Sequence, residues 1–241
     1  MNTLKKSITY AIGLPILLTL ASCGGGGGGA AATVVIPVSS TLSFPLKAAD
    51  DLLTVNGYSK TFNVSGSCTG TGTDTTTPAT TVATFETVSG FSSTGTFSMN
   101  LPGCPTLSGA TPSTTYYYDG SYVPQGSNTL GVAYGVFTVR PIVPTTVLVG
   151  ASGVIGTENL YTDNTKTVTS GRYDFSYVIE PDTANTAIVN LTLKDYDAAN
   201  TLISTQQNRF RLAMTGALVP ISVDAVLYST NPVTHLVWTY N

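Results

Sequence analysis

Charged side chains are scarce in this sequence, and their scarcity excludes several kinds of partner. Only 10% of the 241 residues are Asp, Glu, Lys or Arg, and there are ten basic residues against thirteen acidic ones. Nucleic-acid binding and electrostatic attachment to anionic lipid head groups both require clustered cations. The composition therefore predicts no nucleic-acid partner.

Histidine and cysteine are also scarce, which leaves little for catalysis or metal binding. The chain has one histidine, His235, and three cysteines. A hydrolytic triad needs a nucleophile, a base and a group that orients the base, and a zinc site needs several His or Cys ligands. A lone histidine in a strand is usually a surface or packing residue, and the sequence has no phosphate-binding loop or dinucleotide fingerprint. We therefore predict no enzyme, no cofactor, no metal site and no catalytic residue.

Long apolar runs are missing except near the N-terminus. Residues 8–20 form an apolar run that Pro15 interrupts, and it is shorter than the roughly 20 residues that a membrane-spanning helix requires. Lys5 and Lys6 precede this run, as basic residues precede the apolar region of an export signal. We predict that residues 1–22 are a signal peptide.

The segment Leu20-Ala21-Ser22-Cys23 follows the apolar run and resembles the lipobox of bacterial lipoproteins. The resemblance implies cleavage between Ser22 and Cys23, a diacylglyceryl group on the Cys23 sulfur and an acyl chain on the new amine. Each buried methylene contributes about 0.8 kcal/mol, so one chain binds marginally whereas two or three hold a protein to the bilayer. The alternative is an ordinary secretory peptide that happens to contain a cysteine.

Residues 23–40 are predicted to be a flexible tether. Gly24 begins an unbroken glycine run, and glycine has the greatest backbone freedom of any residue. The residue after Cys23 is not aspartate, which, by resemblance to enteric lipoproteins, implies sorting to the outer membrane. We expect a cell-envelope protein whose membrane contact is its lipid anchor.

Cys68 and Cys104 remain as a pair once Cys23 is assigned to the lipid. An exported protein reaches an oxidising compartment, where an even pair of cysteines usually forms a disulfide. Two free thiols or a metal-binding pair are the alternatives, although a zinc site would lack further ligands. We predict a disulfide.

The composition predicts an all-β fold, because Thr, Val and Tyr favour strands and helix formers are few. We expect an antiparallel, sandwich-like domain over residues 41–143, followed by an antiparallel meander over residues 144–241. The one predicted helix spans residues 46–53. The Thr- and Gly-rich stretch at residues 69–81 has no burial pattern and is predicted to be a solvated loop.

The second half of the chain has the clearer strand pattern. Residues 173–179 alternate large apolar with polar side chains, which places the aromatic rings on one face of a strand. The stretches 156–163 and 170–212 are similar to uncharacterised proteobacterial lipoproteins. That resemblance supports the expected compartment and implies no activity.

An aromatic patch is the first candidate for a functional surface. It consists of Tyr116, Tyr117, Tyr118 and Tyr122. Tyrosine rings can stack on sugars or peptides at little entropic cost, so the patch could bind a ligand. The alternative is that these tyrosines pack inside a sandwich.

Carboxylates are the second candidate, since a pair of them can hydrolyse glycosides. The candidate residues are Asp174, Glu180, Asp195 and Asp224. Acidic side chains on the solvated face of a sheet are the alternative interpretation. Asp195, Asp197 and Asn200 also have the oxygen types of a calcium loop, but Asp and Asn are common in hairpin turns for backbone reasons.

These patterns predict a non-enzymatic envelope lipoprotein that binds or scaffolds at the outer membrane. Three other functions remain open: a carbohydrate- or peptide-binding adhesin-like module, a carboxylate-dependent envelope hydrolase, and a lipid carrier. A sheet that closes around an apolar interior would favour the carrier.

The lipid anchor is testable by replacing its acceptor. We expect the Cys23→Ala variant to stay unprocessed by the lipoprotein peptidase, because the thioether that the enzyme recognises cannot form. Mass spectrometry of the N-terminus in membrane and soluble fractions measures this. A variant processed and released like the wild type would contradict the anchor.

Overall fold

Residues 37–241 are described by the computed structural model, and they form one antiparallel sheet with one helix. The helix, α1, spans Leu46–Asn56. The strands are β1 Tyr58–Gly66, β2 Gly70–Thr76, β3 Thr81–Phe85, β4 Val88–Asn100, β5 Gly109–Ala110, β6 Thr114–Asp119, β7 Pro124–Thr129, β8 Ala133–Phe137, β9 Ser152–Tyr161, β10 Thr169–Pro181, β11 Thr186–Asp197, β12 Leu202–Ala213, β13 Leu218–Leu227 and β14 Thr234–Tyr240. The predicted signal peptide, cleavage site and lipidated Cys23 lie outside the described residues.

Twelve of the strands close into a barrel. Its order is β1-β14-β13-β12-β11-β10-β9-β8-β7-β6-β4-β2, and β2 pairs with β1 to complete the circle. The short strands β3 and β5 pair with β4 outside this circle. Closure satisfies the backbone hydrogen bonds that an open sheet would leave at its two edges.

The all-β antiparallel prediction is confirmed, but the arrangement as a sandwich followed by a meander is wrong. Strands β9 to β14 are successive neighbours, as a meander requires. They belong, however, to the same barrel as the earlier strands, because β14 pairs with β1 and β9 pairs with β8. Alternation in the sequence reports only that one face of a strand is buried, and that is equally true of a sandwich and of a barrel.

The stretch predicted to be a solvated loop contains β2, the strand that closes the barrel. Residues 70–76 pair with β1 on one side and with β4 on the other. Gly72 leaves space for a neighbouring ring, since a Cβ there would be 2.2 Å from Cζ of Phe62. The glycines of this segment therefore accommodate the core rather than mark a flexible loop.

Helix α1 lies at the end of the barrel where β1 begins, which we call the helix end. Gly57 follows the last helical residue as its C-cap, with a φ of +64°. A Cβ atom added to Gly57 would be 2.3 Å from the Thr76 carbonyl oxygen, so a larger residue would not fit there. Leu46 and Ala49 are buried against the apolar cluster at this end. The helix extends three residues beyond the predicted end, and no helix within residues 37–241 is long and apolar enough to span a membrane.

The predicted disulfide between Cys68 and Cys104 is confirmed, and it closes the opposite end of the barrel. It links the residues that follow β1 to those that follow β4. Cys68 packs with Leu101 and Leu107 in an apolar cluster that also contains Trp238. We call this the disulfide end.

Removing the disulfide should lower the free energy of unfolding by roughly 3–4 kcal/mol, because the bond closes a loop over a sequence separation of 36. The variant is Cys68→Ser together with Cys104→Ser, measured by urea denaturation. Reduction of the wild type should produce a similar loss, whereas the double variant should not respond to reductant. Equal stability of the oxidised and reduced wild type would contradict this role.

Candidate functional site

An internal cavity is the principal candidate site. Barrels of about eight strands are filled by their own side chains, whereas those of 16–18 strands leave an open channel. Twelve strands lie between these cases, so side chains and α1 fill only part of the interior. The remaining cavity has a volume of about 220 Å³.

Helix α1 covers the cavity at the helix end. Leu46, Asp50 and Leu53 lie on one face of the helix, because residues spaced by three or four positions are neighbours on a helix surface, and all three line the cavity. Lys47 and Asp51 form an ion pair elsewhere on the helix, and Lys47 Nζ also donates a hydrogen bond of 3.0 Å to the Ser121 carbonyl. The helix thus presents one carboxylate, that of Asp50, to the interior.

One wall of the cavity is apolar. Strands β8, β10, β11 and β12 contribute inward-pointing side chains to it, namely Phe137, Phe175, Leu191 and Phe210. Phe137 and Phe175 pack with their ring centroids 5.6 Å apart. A ligand here would contact aromatic and aliphatic groups.

The opposite wall is polar and is centred on Asp74 of β2. Asp74 is only 5% exposed, and its Oδ2 accepts hydrogen bonds from the hydroxyl groups of Tyr58, at 3.0 Å, and Tyr240, at 2.6 Å. Tyr116 and Tyr118 of β6 line the same cavity. Both are enclosed by protein yet keep accessible surface, because the cavity is beside them.

Glu158 of β9 provides a third carboxylate on the lining. It is 1% exposed, and Ser127 donates a hydrogen bond of 2.7 Å to its Oε1. Gly135 makes room for it, since a Cβ at that position would be 2.2 Å from the same oxygen. Among the described residues that line the cavity there are three carboxylates and no Lys, Arg or His.

Burial controls the electrostatics of the lining. Desolvation raises the pKa of Asp50 to about 6, an effect that the nearby Lys47 partly opposes. Desolvation also raises the pKa of Asp74 to about 6, against the hydrogen bonds from Tyr240 and Tyr58. Each carboxylate is therefore held in a site that disfavours its charge.

The tyrosine hydroxyls on the lining are affected in the same direction. Burial, with a smaller contribution from the charge of Asp50, raises the pKa of Tyr118 to about 12. Burial also raises the pKa of Tyr116, and the charges of Asp74 and Glu158 add to the effect. These hydroxyls stay protonated and can donate hydrogen bonds.

The four tyrosines predicted to form a ligand surface do not lie on one surface. Tyr116, Tyr117 and Tyr118 all contribute to the cavity lining, but the ring of Tyr117 stacks on Phe85 with centroids 4.4 Å apart, in a cluster separate from Tyr116 and Tyr118. Tyr122 lies in the turn after β6 and stacks on a different ring, that of Phe91. Alternation along a strand separates neighbouring side chains, so adjacent tyrosines cannot share a face.

The four candidate carboxylates are not brought together either. Asp195 is buried in the interior, at 3% exposure. Asp174 and Glu180 lie on the outer face in ion pairs with arginines, and Asp224 lies there 2.9 Å from Nε2 of His235. The predicted candidates therefore do not form a two-carboxylate site.

The segment with calcium-type oxygens forms a hairpin turn between β11 and β12. Asp197 Oδ1 accepts hydrogen bonds from the amides of Ala199, at 2.9 Å, and Thr201, at 2.8 Å. Asn200 adopts a φ of +65°, which suits asparagine in a turn. Within residues 37–241 no three His, Cys, Asp or Glu side chains are grouped to hold a metal ion.

The sequence analysis does not single out the three carboxylates of the cavity. Asp74 lies in the segment predicted to be a loop, and Glu158 lies in a strand without distinctive neighbouring residues. A signal exists for Asp50: with Leu46 and Leu53 it forms a stripe at helical spacing, and an acidic residue in an otherwise apolar stripe is unusual.

Comparison with known proteins found no match. No protein-family model, curated protein or solved structure matches this chain.

The raised pKa of Asp50 predicts a pH-dependent stability. The folded state binds the proton of Asp50 more tightly than the unfolded chain does. The stabilisation that this proton gives to the fold is therefore complete below pH 4 and is lost as the pH rises through about 6. Asp50→Asn removes the charge, and we expect it to raise the free energy of unfolding by about 1–2 kcal/mol at pH 7.5, with little difference near pH 4. Urea denaturation at both pH values measures this.

Asp51→Asn is the matched control, because it removes a neighbouring carboxylate that is paired with Lys47 outside the cavity lining. A partly exposed ion pair within one helix contributes little, so this variant should be slightly destabilised or unchanged at pH 7.5. If Asp50→Asn were less stable than the wild type at pH 7.5, the interpretation of a costly buried charge would be wrong.

Proposed function

We propose that this protein is a membrane-anchored envelope protein that binds a small amphipathic molecule inside its barrel, without converting it chemically. The proposal depends on one observation, the cavity of about 220 Å³ within the barrel, which has an apolar wall and an opposite wall of carboxylates and tyrosine hydroxyls. Apolar pockets with a few convergent polar groups are typical of small-molecule sites.

The charge of the cavity favours this function over the carriage of fatty acids. Three carboxylates and no basic side chain on the described lining oppose the carboxylate head of a fatty acid. This argument counts against a carrier of anionic lipids.

The free-energy cost of the carboxylates on the lining also supports a binding role. Burying carboxylates costs free energy, and a protein with no use for the cavity would be more stable with apolar residues there. Polar groups that destabilise a fold are typical of functional sites. The proposed location at the outer membrane rests on the lipobox resemblance, which implies that acyl chains hold the barrel at a membrane surface.

Filling the cavity should abolish ligand binding. We expect Leu191→Trp to lower the affinity for 2-phenylethanol, a neutral amphipathic probe, by about tenfold or more, because the larger side chain occupies the space of the ligand. Titration calorimetry measures the affinity, and circular dichroism checks that the fold is retained.

Leu130→Trp is the control, since Leu130 is 85% exposed. It should bind the probe as the wild type does. Overpacking can destabilise a core, so Leu218→Phe, a smaller change on the same lining, provides a second variant. Unchanged binding in both lining variants would exclude the cavity as the site.

A further inference from the structure

We propose that the ligand carries an organic ammonium group, which is held in the cavity by the negative charge of Asp50 and Asp74 while its apolar part lies against the aromatic wall. This inference rests on the proposed function, and it assigns the chemical class of the molecule that the cavity accepts. Four features of the lining support it: its charge, an available oxygen on Asp74, a second carboxylate on α1 and the aromatic rings.

The charge of the lining is of one sign. Asp50, Asp74 and Glu158 enter from α1, β2 and β9, and no basic side chain of the described residues lines the cavity. Lys47 pairs with Asp51 and only partly offsets the charge of Asp50. Neither Asp50 nor Asp74 forms an ion pair with a described residue, and buried charges are normally paired, so these two carboxylates favour a ligand with positive charge.

Asp74 has an oxygen available to a ligand. Both tyrosine hydrogen bonds end on Oδ2, and no residue within 37–241 donates a hydrogen bond to Oδ1. The side chain is only 5% exposed, so bulk solvent cannot easily supply a partner. An ammonium group has three donors and can bond this oxygen, and a charge-assisted hydrogen bond of this kind is stronger than a neutral one.

Asp50 faces the same cavity from the helix and also lacks a hydrogen-bond donor among the described residues. It lies on the helix that covers the barrel end, whereas Asp74 lies on a strand of the wall. The two carboxylates therefore make the cavity negative from two separate elements of the fold. They attract a cation more strongly than they would in bulk water, because Asp74 is buried and Asp50 is partly buried.

The aromatic rings suit a cationic amphiphile better than an anionic one. Phe97, Phe137, Phe175 and Phe210 line the cavity. The face of an aromatic ring attracts a cation and repels an anion, and aromatic residues combined with carboxylates are a known way to bind organic ammonium groups. An anionic ligand would meet repulsion from both the carboxylates and the ring faces.

Three probes with the same ring and different head groups test the proposal: 2-phenylethylammonium, 2-phenylethanol and phenylacetate. Calorimetry at pH 7.5, above the pKa of about 6 of both Asp50 and Asp74, measures their affinities for the full-length protein. We expect the ammonium compound to bind about tenfold or more tightly than the alcohol, and phenylacetate to bind more weakly than either.

Substitutions locate the source of this preference. Asp50→Asn should lower the affinity for the ammonium compound by about tenfold while leaving the alcohol within about twofold. Asp74→Asn, which keeps an oxygen that can accept the hydrogen bonds of Tyr58 and Tyr240, should act in the same direction. Asp51→Asn should bind all three probes as the wild type does.

The outcomes separate this proposal from the proposed function. If the alcohol bound as tightly as the ammonium compound, or if Asp50→Asn and Asp74→Asn both kept the wild-type preference, the ammonium assignment would be wrong while the cavity remained a binding site. If none of the three probes bound to the wild type, both proposals would be overturned.

Discussion

Pairing between β2 and β4 is the constraint on which the rest of this structure depends. Without it the sheet would have two unpaired edges, and the inward side chains of all twelve barrel strands would be open to solvent. Asp74 on β2 contacts Tyr58 of β1 and Tyr240 of β14 on one side, and the pairing with β4 brings it to the wall that carries Tyr116 and Tyr118 of β6. Closure of the barrel and assembly of the polar wall are therefore one event.

Closure at twelve strands also determines what the interior must contain. The lumen is wider than its side chains alone can fill, so each end is closed by a segment outside the barrel. At the disulfide end this is the segment that carries Cys104 and Leu107, and at the helix end it is α1. The amide of Ala79 donates a hydrogen bond of 3.0 Å to the carbonyl of Thr54, which holds the end of the helix to the chain that follows β2.

The free-energy cost of the polar wall connects stability with the proposed function. Three buried or partly buried carboxylates on the lining oppose folding when they are ionised, and the apolar clusters, the sheet hydrogen bonds and the disulfide offset that cost. A bound cation would reduce the cost, since it would supply the charge that the lining lacks. Folding stability and ligand binding are then linked through the same side chains.

Four features of this protein can be predicted from the sequence, because each follows from local propensity, periodicity or pairing rules. They are the strand content, the inward alternation over residues 173–179, the start of α1 and the Cys68–Cys104 pair. Three others arise only in the folded chain: the strands close into one barrel, residues 70–76 form a strand and Asp74 faces a cavity. Strand β2 is held by pairing with strands on both sides and by the space that Gly72 leaves for Phe62, and neither contact has a signature within the segment itself.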